Sequence, residues 1–151
     1  MGLIDKINAD LKAAMLARDE FATTTLRGLK SAILYEEVAK GKRDTGLNDG
    51  EIENVVASEM KKRDDALKIY AAAGDDERAG KEDKENQILA KYLPAQLSSD
   101  ELCEKIRGII AKHGFDAKKD FGKIIGVAKK ELGNATTGEK IANALKQEFA
   151  K

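Results

Sequence analysis

Apolar residues recur every three or four positions along almost the whole chain, and that period predicts helices. Leu3 or Ile4, Ile7, Leu11 and Met15 predict a first helix to about Ala17. Asp19 is placed to cap a second, whose inner stripe is Ala22, Leu26, Leu29 and Ile33. The segment GKRDTGLNDG, 41–50, has three glycines and polar spacing, and reads as a loop. Asn48 with Glu51 three residues on resembles a capping box, and it opens a third helix. The stripe Ile52, Val55, Val56, Met60, Leu67 and Tyr70 carries that helix to about Ala73. The segment GDDERAG, 74–80, reads as a turn, with a fourth helix from about Lys81 to Leu93. No stretch alternates apolar and polar residues as a half-buried strand would.

The pattern breaks at KYLPAQLSSDEL, 91–102, which holds the only proline, Pro94. Proline disfavours helical geometry in the residue before it, so the fourth helix should stop near Leu93. Ser98 with Glu101 then forms a capping box, with Leu97 and Leu102 at the positions of a hydrophobic staple. The expected arrangement is a joint between two domains, 1–94 and 95–151; the alternative is a tight turn inside one bundle. Three shorter amphipathic helices follow. Leu102, Ile106, Ile109 and Ile110 form one face, with Gly114 after His113 as its stop. Phe121, Ile124, Ile125, Ala128 and Leu132 form the next, ended by Gly133, and Ile141, Leu145 and Phe149 the last, with Thr136 and Glu139 placed to cap it. The expected class is all-α: an N-terminal helical domain of about four helices and a C-terminal three-helix bundle.

Composition fits this picture. Charged residues make up 36% of the 151, aromatics only 5%, and there is no tryptophan, as suits wide solvated helix faces over cores of Leu, Ile, Val and Ala. Net charge is zero overall but uneven. Residues 1–94 carry 16 Lys and Arg against 19 Asp and Glu, and residues 95–151 carry 11 against 8. The C-terminal part therefore favours an anionic partner. One cysteine, Cys103, excludes an internal disulfide, fits a reducing compartment and reads as a small core filler. The N-terminus lacks a signal-peptide core, and no run approaches a membrane span. A soluble, cytoplasmic protein without membrane contact is expected.

Several motifs invite chemistry and lack its requirements. GNATTGEK, 133–140, is one residue from a phosphate-binding loop, but Glu139 stands where the lysine must follow the second glycine, and no strand precedes it. Asp120-Phe121-Gly122 spells the kinase magnesium triplet without the other kinase elements. The lone His113 sits at a helix end, where a cation is favoured, with no nucleophile or second ligand at a usable spacing. The carboxylate pairs Asp64-Asp65 and Asp75-Asp76 fall in polar stretches, where nothing tunes an acid and a base apart. No catalytic residue, metal or cofactor is expected.

Lysines remain the best signal. Lys118, Lys119 and Lys123 flank the start of the second C-terminal helix, Lys129 and Lys130 lie near its end, and Lys140 follows the turn at Asn134. Such cations beside a helix N-terminus can hold a phosphate backbone; the plain alternative is a solvated helix face. In the N-terminal part, Arg27, Lys30, Glu59 and Arg63 are candidates for an ion-pair network between the second and third helices, either structural or part of a protein-interaction module.

The pieces LRGLKSAI (26–33), KKRDDAL (61–67), YLPAQLS (92–98), DFGK (120–123) and GNA (133–135), in this order and spacing, resemble the GatB/YqeY family and its free-standing YqeY-like members, over nearly the whole chain. The resemblance implies an all-α fold whose C-terminal domain is similar to the tail of the GatB subunit of the tRNA-dependent amidotransferases. Those enzymes convert misacylated Glu-tRNA or Asp-tRNA to the Gln or Asn form, and their tail touches the tRNA body. It implies tRNA, or a tRNA-handling enzyme, as partner, with Lys118 to Lys123 and Lys129 to Lys140 as the tRNA-facing surface. It also implies an association with carbon–nitrogen ligase activity with glutamine as amido-N-donor. It brings no active site, so the chain is not expected to be an enzyme by itself. The family often has a basic residue where Asn134 stands, and Thr136-Thr137 departs from its acidic-plus-glycine turn.

Overall fold

Capping side chains set where most of the helices begin. The computed structural model describes residues 2–149, and the regular elements among them are helical. Helix α1 spans Leu3–Leu16, and its first N–H donates to Asp49 Oδ1 at 3.0 Å. Asp19 opens α2, Glu20–Ala39, by accepting from the Ala22 N–H at 3.0 Å. At α3, Asp49–Ala72, the capping box is reciprocal. Asn48 Oδ1 accepts from the Glu51 N–H at 2.8 Å, and Glu51 Oε1 accepts from the Asn48 N–H at 3.1 Å. Ser98 and Glu101 repeat the device at α5, Ser99–His113, with both bonds at 3.1 Å.

Helix α4 spans Asp76–Leu89 and begins five residues before its expected start. Asp75 accepts from the Arg78 N–H at 3.1 Å, a cap worth about 1 kcal/mol. Asp76 and Glu77 add first-turn acids that complement the helix dipole. Together these offset the roughly 1 kcal/mol that Gly80 costs inside a helix. After Leu89 the chain tightens into a 3₁₀ turn, Ala90–Tyr92, and Leu93 is extended (φ −94°, ψ 155°), as the following proline requires.

Two compact units result, Met1–Leu93 and Pro94–Lys151. In the first, α1 packs on α2 and α3 on α4 around Ile7, Leu26, Leu29, Ile33, Ile52, Val56, Leu89 and Tyr92. Tyr92 closes this core. Its hydroxyl donates to Asp10 Oδ2 at 2.6 Å, and Lys6 Nζ stands 5.4 Å over its ring. Burial, then Asp10, pushes its phenol well above the usual range.

In the second unit α5 meets α6, Phe121–Leu132, and α7, Gly138–Ala144, around Leu102, Ile106, Ile109, Ile124, Ala128, Ile141 and Leu145. A π-type turn, Leu145–Phe149, follows. Gly114 ends α5 in the left-handed conformation (φ 66°). Gly133, at φ 56° and ψ −132°, adopts a geometry that only glycine takes readily. The cap of α7 is Thr137, whose Oγ1 accepts from the Lys140 N–H at 3.1 Å. Thr136, expected in that role, is buried instead.

Glu51 also gathers two lysines from the loop before it, Lys42 at 2.8 Å and Lys40 at 3.2 Å. The Lys42 hydrogen bonds, then the Asn48 N–H, hold its carboxyl at about 2. A carboxyl depressed in the folded state stabilises above its unfolded pKa and loses that contribution as pH falls through the folded one. The stability gap between the native chain and Glu51→Gln should therefore be full above about pH 4.5 and close toward pH 2. Urea unfolding across that range measures it; a gap that stays constant would show that the charge of Glu51 is idle.

Candidate nucleic-acid interface

The turn into α6 is built by two acids. Asp116 Oδ1 accepts from the Lys119 N–H at 3.0 Å and the Lys118 N–H at 2.9 Å, and these bonds hold its carboxyl below the usual range. Asp120 Oδ2 accepts from the Asp116 N–H at 2.9 Å. Both acids are thus engaged with backbone, and the side chains of Lys118 and Lys119 are exposed. Lys123 and Lys130 lie seven residues apart, on the side of α6 away from buried Ile124 and Ala128. Lys123 Nζ stands 3.8 Å from Asp120. Gly122 and Gly126 leave open space on the same exposed side.

Lys129 behaves differently. Its ammonium donates to the Gly133 carbonyl at 2.6 Å and the Thr136 carbonyl at 3.2 Å, and burial lowers its pKa. It closes the turn between α6 and α7 rather than facing solvent. Asn134 contributes its carbonyl to Gln96 Nε2 at 2.8 Å, while the Ala135 carbonyl accepts from the Leu97 N–H at 2.9 Å, so the turn is stitched to the start of the unit. Lys140 is exposed in the first turn of α7. The exposed set is therefore Lys118, Lys119, Lys123, Lys130 and Lys140. Sequence spacing could not separate Lys129 from them, because its partners are carbonyls supplied by the glycine turn.

In the first unit Arg63 gathers two acids. Its Nε donates to Glu85 at 2.8 Å and its Nη1 to Glu59 at 3.1 Å. Helix α2 meets this cluster at Gly28, where a β-carbon would sit 4.0 Å from Arg63 Nη2. Arg27 and Lys30 are exposed, and no ion pair links either to Glu59 among the described residues. Each helical residue advances about 100°, so facing Gly28 toward Arg63 turns Arg27 away. The sequence pattern did not reveal Glu85, whose approach depends on how α4 folds back on α3. Among the described residues no group of His, Cys, Asp and Glu is arranged to hold a metal ion, and no helix is long and apolar enough to cross a membrane.

The profile of the Yqey-like protein family matches residues 4–149. The chain belongs to that family. Among curated proteins, this YqeY-like chain is 29% identical over 106 residues to "Altered inheritance of mitochondria protein 41, mitochondrial" of Clavispora lusitaniae, covering 69% of this chain and 60% of the relative. The protein of the same name from Saccharomyces cerevisiae is 26% identical over 129 residues, covering 82% and 68%. That of Vanderwaltozyma polyspora is 30% identical over 87 residues, covering 58% and 46%. The chain thus spans about half to two thirds of these relatives' lengths. Their names overturn the expectation of a cytoplasmic protein. The reason lies in what that expectation rested on: a single cysteine argues only against an oxidising compartment, and mitochondrial leaders are amphipathic, so a missing apolar leader core does not bear on them.

Proposed function

We propose that this YqeY-like protein is a non-catalytic, tRNA-associated helical adaptor whose second unit meets RNA along the outer side of α6. The reading rests on the sequence's resemblance to the GatB/YqeY family, which implies a second unit similar to the tail of the GatB subunit. The observation that carries it is exposed Lys118 and Lys119 in the turn before α6, with Lys123 and Lys130 on one side of that helix, where Gly122 and Gly126 leave room for a phosphate backbone. Lysines of this kind supply sequence-independent affinity through counterion release, so binding falls steeply with salt. Lys129 is a support of the turn in this reading and does not touch the RNA.

Titration of total tRNA into the full chain across salt concentrations tests it. Replacing Lys118, Lys119 and Lys123 together by Ala should weaken binding at every salt concentration and flatten the log–log salt slope by roughly one for each phosphate no longer neutralised. Absence of binding at low salt removes the proposal. An amidotransferase component is separated by assaying glutamine-dependent amidation of Glu-tRNA. A protein-interaction role for the first unit has its own support in the exposed apolar side chains of α1 and α2.

A further inference from the structure

Of the seven large apolar side chains left exposed among the described residues, six lie on α1 and α2: Met15, Leu16, Phe21, Leu34, Tyr35 and Val38. On α1, Lys12 and Leu16 form one ridge, with Leu11 and Met15 beside it; on α2, Lys30, Leu34 and Val38 follow at four-residue spacing. Between the two helices runs a crease of about 380 Å3 lined by Asn8, Leu11, Lys12, Met15, Leu16 and Lys30. Leu16 is 77% exposed and Val38 62%. Among the described residues Lys12, Arg27 and Lys30 take part in no ion pair, whereas Lys40, Lys42, Arg43 and Arg63 of the same unit are all paired. Acids border this face on α2: Glu20 stands in the first turn, and Glu37, beside Val38, is paired with Arg43 at 3.7 Å. Phe21 instead faces the start of α4, but Leu11, Met15, Leu16, Leu34 and Val38 share the α1–α2 side with the unpaired cations.

We propose that the α1–α2 crease docks an acidic amphipathic helix of a partner protein. Its apolar side chains would lie over Leu11, Met15, Leu16 and Leu34, with its carboxylates at Lys12, Arg27 and Lys30. A third helix laid between two packed helices buries the apolar stripe that a pair alone leaves open. Charge selects the partner. A second copy paired through this face would bring the Lys12, Arg27 and Lys30 of both copies into one interface, six cations with like charge on each side. A nucleic acid would pair with the cations and leave Met15, Leu16 and Leu34 in water. This inference is independent of the α6 reading and uses different residues.

Fluorescence anisotropy on the full chain, with two labelled model peptides, tests it. Both peptides carry the same leucine face; one has glutamates and the other lysines at the remaining positions. The glutamate peptide should bind at least about tenfold more tightly. Leu16→Glu and Leu34→Glu should each weaken it by about tenfold or more, while Ile69→Glu, at a 69% exposed site on α3, should leave it unchanged. The double change Lys12→Glu with Lys30→Glu should shift preference toward the lysine peptide. This double variant alters exposed charges only, so it decides the matter even if an apolar variant misfolds. Four results would overturn the proposal: equal affinity for the two peptides; no affinity for either; displacement of the glutamate peptide by excess tRNA or phosphatidylglycerol vesicles; and a concentration-dependent dimer that Leu34→Glu abolishes.

Discussion

Arg63→Ala should destabilise the first unit by about 2–4 kcal/mol. Arg63 bridges Glu59 and Glu85, while Lys62, 70% exposed, reaches Glu59 from the solvent side at 3.4 Å. The side chains of Arg63, Glu59 and Glu85 are 17–19% exposed, and removing Arg63 takes from Glu85 its ion-pair partner and leaves Glu59 only the exposed Lys62. The range sits below that of a fully buried pair because the cluster keeps some access to solvent. In a unit of this size it corresponds to a midpoint lowered by roughly 10–20 °C. Tyr35, Tyr70 and Tyr92 all lie in residues 1–93, so tyrosine emission follows this unit's unfolding. Adding Glu59→Gln to the alanine variant should recover part of the loss. A drop under about 1 kcal/mol would class the cluster with ordinary surface pairs.

Ile106→Ala should be at least as damaging to the second unit. Ile106 is fully buried against α6 and α7, and truncating such a side chain costs about 2–5 kcal/mol. At the usual stability per residue, a 58-residue unit holds only about 3–9 kcal/mol. The substitution thus removes much or all of its margin. Circular dichroism should show the helical signal of this unit melting early. If the two units unfold separately, tyrosine emission keeps its native midpoint. Simultaneous loss of both signals would argue for one cooperative fold.

The helical class was legible because three independent signals agreed at most boundaries: apolar period, capping residue and glycine or proline stop. Asn48 with Glu51, Ser98 with Glu101 and Gly114 each do locally what their chemistry predicts. Errors arose where two local signals competed. Gly80 suggested a turn, yet Asp75 starts the helix earlier. Thr136 and Thr137 are equivalent caps on paper, and burial of the first leaves the second to do it. The candidate sites were less legible because they depend on direction. Arg27 and Gly28 are neighbours in sequence and face different ways. Lys129 and Lys130 differ by one helical step, and one supports the turn while the other meets solvent. The crease between α1 and α2 has no sequence signature, since Leu16 and Val38 look like ordinary members of an apolar stripe.

The bond from Tyr92 to Asp10 joins positions 82 apart, and Leu89 belongs to the same core. During synthesis the first bundle therefore cannot close until nearly its last residue has left the ribosome. At ordinary elongation rates the 58 residues of the second unit take only about 3–12 s to make. The α1–α2 pair, complete at Ala39, waits through the synthesis of α3 and α4 with its apolar flanks uncovered, and a nascent chain stalled before Leu89 should be a preferred chaperone client.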